Sequence, residues 1–395
     1  GKTETPGTPG WLAIEMLDRQ PTDIWNSPTA TFLDPACSTG AILLEMFRRL
    51  YTGLEGVIVD SDERIRHILA NQLWGVEEKT VPYRMARAAF GVLLGNQFDI
   101  NKMNLRSYNA LEEGVKMKHD VVIMNPPFQA PQQSSGKRGG GDGLWNKFVE
   151  KAFTEWTKDD GIVCAVHPAG WRKPESDRSK YKGLFELMAH EHHMLYLEIH
   201  DSAEGQETFN AGTRYDWYVC KKNESGMTEV VDEKGESSIL DLKQHKWLPN
   251  RLIIKTKSLV GPGGKVLFSA SAYESRKAHT SEEQTEVFKY PLVHSTPKSG
   301  NRFLYSSRND KGHFGVSKVI FGEAGINDVI IDLEGNYGMT QGAMAIPVKD
   351  LQEATAAKEF LMHPEFKQIL EACSWSNFRV DWRLFTYFKE GFWCD

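Results

Sequence analysis

Asp120-Val121-Val122-Ile123-Met124-Asn125-Pro126-Pro127-Phe128 is the stretch that decides the fold of this chain. Four consecutive apolar residues, three of them β-branched, read as a strand buried on both faces, the pattern of a parallel sheet. Pro126 and Pro127 have no N–H to donate, so the ladder must stop there. Open α/β sheets hold their ligands beyond the carboxyl ends of their strands. At that edge the sequence delivers a carboxamide, an outward-turned backbone carbonyl and an aromatic ring. Such groups hold a planar ring and accept hydrogen bonds from its amine. Taken alone, the tetrapeptide is explained as well by a proline turn with Asn125 as an Asx cap.

Upstream, Phe32 and Leu33 lead into the small-residue turn Asp34-Pro35-Ala36-Cys37-Ser38-Thr39-Gly40, and a helical pattern follows to about Tyr51. A turn of this kind lets a ligand approach the backbone, and the helix behind it offers unpaired N–H groups. It lacks the G-x-G-x-x-G spacing of a dinucleotide site, and a plain turn is the alternative reading. A second helical pattern, Glu63 to Gln72, precedes the short strand Leu73 to Val76, which ends in Glu77. A carboxylate there suits the two hydroxyls of a ribose. Asp60, after the apolar run Val57-Ile58-Val59, competes for that role, and an ordinary capping carboxylate explains either residue. Glu77 is preferred because an Ala/Arg-rich helix, Pro82 to Leu94, follows it.

Beyond the opening stretch come a low-complexity segment (Gln129 to Gly143), a helix (Trp145 to Trp156) and a strand (Gly161 to His167). A helix over Tyr181 to His193 and strands over Met194 to Ile199 and Tyr215 to Cys220 complete the pattern. This alternation predicts an α/β fold, a doubly wound, mostly parallel, Rossmann-like sheet with helices on both faces. A chain of 395 residues exceeds a single core, so two domains are expected. They are residues 1–222, a connecting segment 223–249, and a mixed α/β domain 250–395 carrying short strands (Lys318 to Phe321, Val329 to Leu333), a helix near Glu353 to Leu361, and an aromatic tail read as core packing.

The net charge of −6 gives no general support for nucleic-acid binding, so any such surface must be a local basic patch. Five scattered cysteines, odd in number and without zinc-ligand spacing, point to reduced thiols in a cytoplasmic protein with no metal site. No apolar run approaches the ~20 residues that cross a bilayer, and Gly1-Lys2-Thr3 opens no signal peptide, so no membrane partner is expected.

Joined together, a nucleoside-type ligand on the first two strands and an amine clamp on the fourth resemble a known family. The chain is similar to S-adenosylmethionine-dependent DNA adenine-N6 methyltransferases of the γ class, the NPPF type found in restriction–modification systems. The resemblance rests on Thr8-Pro9-Gly10-Trp11-Leu12 with Met16-Leu17-Asp18, on the Asp34 to Gly40 turn, on Leu73 to Glu77 and on Asp120 to Phe128, and it covers about residues 5–220. It implies S-adenosylmethionine as cofactor, with Thr8, Pro9, Asp34, Pro35, Ala36, Cys37, Gly40, Glu77, Asn109 and Asn125 as binding residues. Asn109 stands where the family usually carries Asp, which leaves the contact to the cofactor's adenine without charge assistance.

The resemblance further implies Asn125, Pro126, Pro127 and Phe128 as the catalytic motif. Phe128 and Phe209 would hold a flipped base, and Lys137 and Arg138 in a loop would touch phosphates. Phe209 as a core residue, and the loop as plain surface, stay open. In the C-terminal domain Arg302, Arg308, Lys311 and Lys318, alternating with Phe303, Tyr305, His313 and Phe314, suit target recognition, though a solvated basic face over core aromatics explains them too. Double-stranded DNA is the implied partner, with a separate restriction endonuclease as a second one, in a prokaryotic, phage or plasmid setting. Rival readings keep the chemistry and change the substrate to RNA, a protein glutamine or cytosine N4, or make the chain a silent regulatory module.

Overall fold

The computed structural model describes residues 7–128, 143–175, 179–269, 272–274, 276–375 and 379–394, and divides the chain into two compact units. The first comprises residues 1–171 and 176–246, the second residues 172–175 and 247–395.

The first unit is built on β1 (Phe32–Asp34), β2 (Leu73–Val76), β3 (Asn104–Arg106), β4 (His119–Met124), β5 (Thr157–Pro168), β6 (His193–His200), β7 (Tyr215–Lys221), β8 (Thr228–Val231) and β9 (Ser237–Leu240). They form one sheet in the order β3-β2-β1-β4-β5-β7-β6-β8-β9. All pairings from β3 through β5 are parallel, and β7 runs antiparallel between β5 and β6. Strand order reverses between β1 and β4, the switch point at which such sheets open a crevice for ligands. The expected α/β sheet is thus present.

Alternation along the central strands feeds two cores. Val121, Ile123, Cys164, Val166 and Val219 enter one core with the helices α1 (Gly10–Asp18), α2 (Ala41–Gly53), α3 (Ser61–His67) and α4 (Thr80–Leu94). His167 and Tyr218 point the other way, where Trp145 stacks on His167 at 4.3 Å and Trp171 stacks on Phe185 at 5.6 Å. Helices therefore cover both faces, as a parallel sheet requires.

Three boundaries differ from the sequence reading. The segment 223–249, read as a connector, supplies β8 and β9, which extend the sheet past β6. Its turn, Asp232-Glu233-Lys234-Gly235, looks like solvated linker because it is charged. The Asp232 carboxylate instead accepts from the N–H groups of Lys234 and Glu236 and closes a hairpin, with Gly235 at φ 77°. The helix expected over Tyr181 to His193 is only Leu184–Ala189, because Gly183 in the left-handed region precedes it and His193 already belongs to β6. The run Val57-Ile58-Val59 forms no strand, and Asp60 caps α3 by accepting from Glu63 N–H at 2.7 Å. Asp60 therefore drops out as a rival to Glu77.

The second unit holds two four-stranded sheets. One has the order β10 (Leu267–Phe268), β17 (Ala343–Pro347), β14 (Lys318–Gly322), β15 (Val329–Asp332). The other runs β11 (Thr280–Ser281), β13 (Arg302–Ser306), β12 (Tyr290–Ser295), β16 (Gly338–Met339). Phe385, Phe388 and Phe392 of the aromatic tail are buried with Phe366, as expected of core packing. Phe378 lies outside the described residues.

The proposed basic stripe of this unit is interrupted. Lys318 is buried, with its ammonium 2.6 Å from Asp332, whose carboxylate also accepts from the N–H groups of Asn336 and Tyr337. Burial on the inner face of β14 gives Lys318 no access to a ligand, and the sequence pattern could not reveal that partner 14 residues on. Arg308 is exposed but held by Asp310 at 2.6 Å. Removing one partner of a buried pair strands the other charge. Asp332→Ala is expected to destabilise this unit by roughly 3–5 kcal/mol. Lys318→Met, which leaves only a carboxylate still bonded to two N–H groups, should cost clearly less. Chemical denaturation of both variants measures the difference, and equal losses would show that the pair is not stranded in the way described.

Candidate active site at the strand ends

The carboxyl ends of β1, β2 and β4 bring together most of the residues singled out from the sequence. The 34–40 turn is fastened to β2 by two bonds: Cys37 N–H donates to the Val76 carbonyl at 2.9 Å, and Ser38 N–H to the Glu77 carboxylate at 2.9 Å. The other Glu77 oxygen accepts from Lys79 N–H at 2.7 Å. Ser38 takes a left-handed φ of 49°, a costly conformation for a residue with a Cβ, and the Glu77 bond helps hold it there.

Gly40, at φ 92°, starts α2, and a Cβ on it would stand 3.2 Å from the Cβ of Ala86, so glycine is needed both for the turn and for the contact. No side chain caps α2, so its first N–H groups face the crevice. The N-terminal segment reaches the same turn: a Cβ built on Gly7 would lie 3.7 Å from Thr39 Oγ1 and 3.8 Å from Ser38 Oγ. Thr8 and Pro9 follow directly, and Pro9 precedes α1.

Asp34 ends β1 almost fully buried, its Oδ1 accepting from Ala36 N–H at 3.1 Å. Burial pushes its carboxyl up to about 8, the Glu77 charge pushes the same way, and the Ala36 bond opposes both. Cys37 beside it is raised well above the usual thiol range, chiefly by burial, and so is no nucleophile at neutral pH. Asn109 also has a local role. It caps the short helix Ala110–Glu113, its oxygen accepting from Leu111 N–H at 3.0 Å, so one lone pair already has local work.

The NPPF segment leaves β4 as the prolines dictate. Asn125 is half-buried, yet its Oδ1 is shielded from solvent and has no hydrogen-bond partner among the described residues. Leaving a buried acceptor unmade costs roughly 1–3 kcal/mol, so a donor is missing from this spot. Phe128 packs edge-on to Phe209 at 5.5 Å and 73°. Phe209 is buried and ends the helix Ser202–Phe209. The structure thus brings Phe209 to the motif from 81 positions away in sequence, on the core side of Phe128. Lys137 and Arg138 lie outside the described residues.

Sequence reasoning missed two neighbours of this edge. His200 and Tyr215, paired across β6 and β7, stack at 4.3 Å with 7° between ring planes. A cavity of about 420 Å³ opens beyond His200, lined also by Glu198, Glu204, Asp232, Glu233 and Lys234. The aromatic residue opening β7 was a usable signal. The cavity was not legible, because β8 and β9 had been read as linker.

Residues 57–209 match the Eco57I restriction-modification methylase family model. The matched segment spans Glu77, the NPPF motif and Phe209, and ends before residue 247, where the main part of the second unit begins. An uncharacterized adenine-specific methylase of Mycoplasma pneumoniae is 21% identical, with the alignment covering 70% of this chain and 83% of that one. Among solved structures, the Type IIL restriction–modification enzyme MmeI in complex with DNA superposes with a TM-score of 0.51 at 12% identity, over 94% of this chain and 64% of its own. The DrdV–DNA complex gives 0.53 at 10% identity, over 98% and 56%. At such identities the likeness is one of fold, and this chain spans only part of the length of those enzymes. Among the described residues no helix is long and apolar enough to cross a membrane.

The Asp34 carboxyl gives the first unit's sheet a pH-dependent stability. Its pKa in the folded protein is raised above the unfolded value, so its contribution is fully present below about pH 4. The folded chain holds a proton that the unfolded chain releases, so this contribution is lost as pH rises toward 8. Asp34→Asn should remove that fall, giving a flatter dependence of unfolding free energy between pH 5 and 8.5. An unchanged slope in denaturant titrations would mean that Asp34 ionises normally.

Proposed function

We propose that this chain is a DNA methyltransferase that transfers a methyl group from S-adenosylmethionine to N6 of an adenine flipped out of the duplex. The observation that carries the reading is the unpartnered, solvent-shielded oxygen of Asn125 at the end of β4. An adenine N6 amine is the donor that this oxygen lacks. Its lone pair is delocalised into the ring, which makes it a poor nucleophile. Asn125 Oδ1 and the Pro126 carbonyl, taking one N6 hydrogen each from outside the ring plane, release that lone pair for attack. Neither acceptor titrates, so the clamp works without a base of shifted pKa. Both bonds strengthen as positive charge builds on N6, which is electrostatic stabilisation of the kind that dominates many sites.

The residues around the 34–40 turn fit the cofactor. Thr8, Pro9, the backbone from Asp34 to Gly40 and the open α2 terminus would surround its amino-acid part, and Glu77 its ribose. When bound, S-adenosylmethionine supplies an electrophilic methyl on a cationic sulfur. Asp34, largely neutral at pH 7, keeps this pocket from carrying a second full charge beside Glu77. Phe128, backed by Phe209, is the stacking platform for the extruded base, a contact worth roughly 1–3 kcal/mol.

Target recognition belongs to the second unit in this reading. Arg302 and Lys311 are exposed there, with half-buried Phe303 and Tyr305 between them, while Lys318 is excluded. A separate restriction endonuclease as partner chain and a prokaryotic cytoplasm as setting belong to the same proposal.

Tritiated methyl transfer to unmethylated DNA, combined with modification sequencing of DNA from expressing cells, tests the proposal. Transfer confined to protein, RNA or cytosine would overturn it. Asn125→Ala is expected to lower transfer by at least about 100-fold, the scale of losing one well-placed polar contact to a developing charge. Calorimetric binding of S-adenosylmethionine should persist in that variant. Wild-type rates in Asn125→Ala would refute the amine clamp.

A further inference from the structure

We propose that His200 and Tyr215 are positioning residues that set the pose of the base-stacking ring Phe128, acting through Phe209. The inference rests on Phe128 being the base platform proposed above.

Four rings form a continuous series at the carboxyl edge of the sheet. Phe128 meets Phe209 at 5.5 Å and 73°, Phe209 meets Tyr215 at 4.9 Å and 82°, and Tyr215 stacks on His200 at 4.3 Å and 7°. Phe209, Tyr215 and His200 are buried, and Phe128 alone is half-buried. A base lying on Phe128 would therefore rest on a series of rings that runs along the edge of the core.

The chain between β6 and β7 is built to close this column. Directly after His200, Asp201 forms a capping box with Glu204 and starts the helix Ser202–Phe209. That helix ends on Phe209, with Asn210 in the left-handed region at φ 51°. Gly205 lets the returning strand pass against the helix, since a Cβ there would collide with the Thr213 carbonyl. The chain then enters β7 at Tyr215, opposite His200 in register. The Tyr215 hydroxyl lies 3.2 Å from Thr208 Oγ1, which fixes the ring against the same helix.

His200 has no hydrogen bond to explain its presence. Both ring nitrogens are buried without a hydrogen-bond partner among the described residues, and the nearest carboxylate oxygens, of Glu198 and Glu204, stand 3.5 and 3.4 Å away. Its ring face lies on Tyr215, its edge lies between the Glu198 and Glu204 carboxylates, and the 420 Å³ cavity opens beside it. The two carboxylates hold the ring by its edge, and its face meets Tyr215 at 7°, so the face-to-face pair is where His200 can set the tilt of Tyr215 and, through it, of Phe209.

The test compares two apolar replacements that fill the same space. His200→Phe keeps an aromatic face against Tyr215, and His200→Leu does not. Methyl transfer from tritiated S-adenosylmethionine to DNA should show the KM for DNA raised and kcat lowered in His200→Leu. The combined loss in kcat/KM is expected to be about tenfold or more, as for a displaced positioning group. His200→Phe should recover most of that loss, and cofactor binding by calorimetry should be alike in the two. Equal kcat/KM in His200→Phe and His200→Leu would overturn the positioning role while leaving the proposed activity intact. Wild-type protein that methylates no DNA would overturn the reading of the site, and the positioning role with it.

Discussion

An acceptor shielded from water without a donor is destabilising by roughly 1–3 kcal/mol, and the Asn125 Oδ1, which has no hydrogen-bond partner among the described residues, is kept at the strand end by the two residues that follow it. Pro126 and Pro127 can extend neither the ladder nor a helix, so Asn125 cannot relax into regular structure. The sheet around it is arranged so that this unmade bond falls at the switch point between β1 and β4. Everything else at the carboxyl edge acts by position relative to that oxygen. The 34–40 turn lies on the neighbouring strand, Glu77 on the next, and Phe128 just past the prolines.

Charge is handled locally at this edge rather than by the net balance of the chain. Burial raises the pKa of Asp34, and the nearby Glu77 charge adds to that rise. Glu77, by contrast, accepts an N–H on each oxygen, from Ser38 and from Lys79. Two acids of similar sequence appearance are thus separated by surroundings: Asp34 has one backbone donor and a raised pKa, while Glu77 ties the 34–40 turn to the start of the next helix. Asn109 shows the complementary case. The polar group expected to face a ligand has found a helix terminus to cap, which is what Asn does readily wherever a short helix begins.

The parallel core and the motif were legible in the sequence because both are written in local terms. β-branched runs of four residues, prolines that stop a strand and a small-residue turn before a helix each act over a few positions. The β8–β9 hairpin was not legible, since Asp232-Glu233-Lys234-Gly235 has the composition of a linker and becomes a turn only through the Asp232 side chain. Lys318 misled for a similar reason. In sequence it is one more basic residue among aromatics, and only the antiparallel pairing of β14 with β15 sets it against Asp332. What could not be seen were contacts between residues far apart in sequence, and the second unit consists largely of such pairings.

The same distinction separates the two roles of aromatic residues in this chain. Phe385, Phe388 and Phe392 are surrounded by other rings and account for their own burial through core packing. Phe209 and Tyr215 are as deeply buried, but they sit in a line that runs from a half-exposed ring next to the amine clamp to a histidine with a cavity beside it. Burial alone does not distinguish these groups. Direction does: a core cluster closes on itself, whereas a column has two ends. Here one end is Phe128, three residues from the unpartnered oxygen of Asn125, and that adjacency ties the β6–β7 loop to the chemistry of β4.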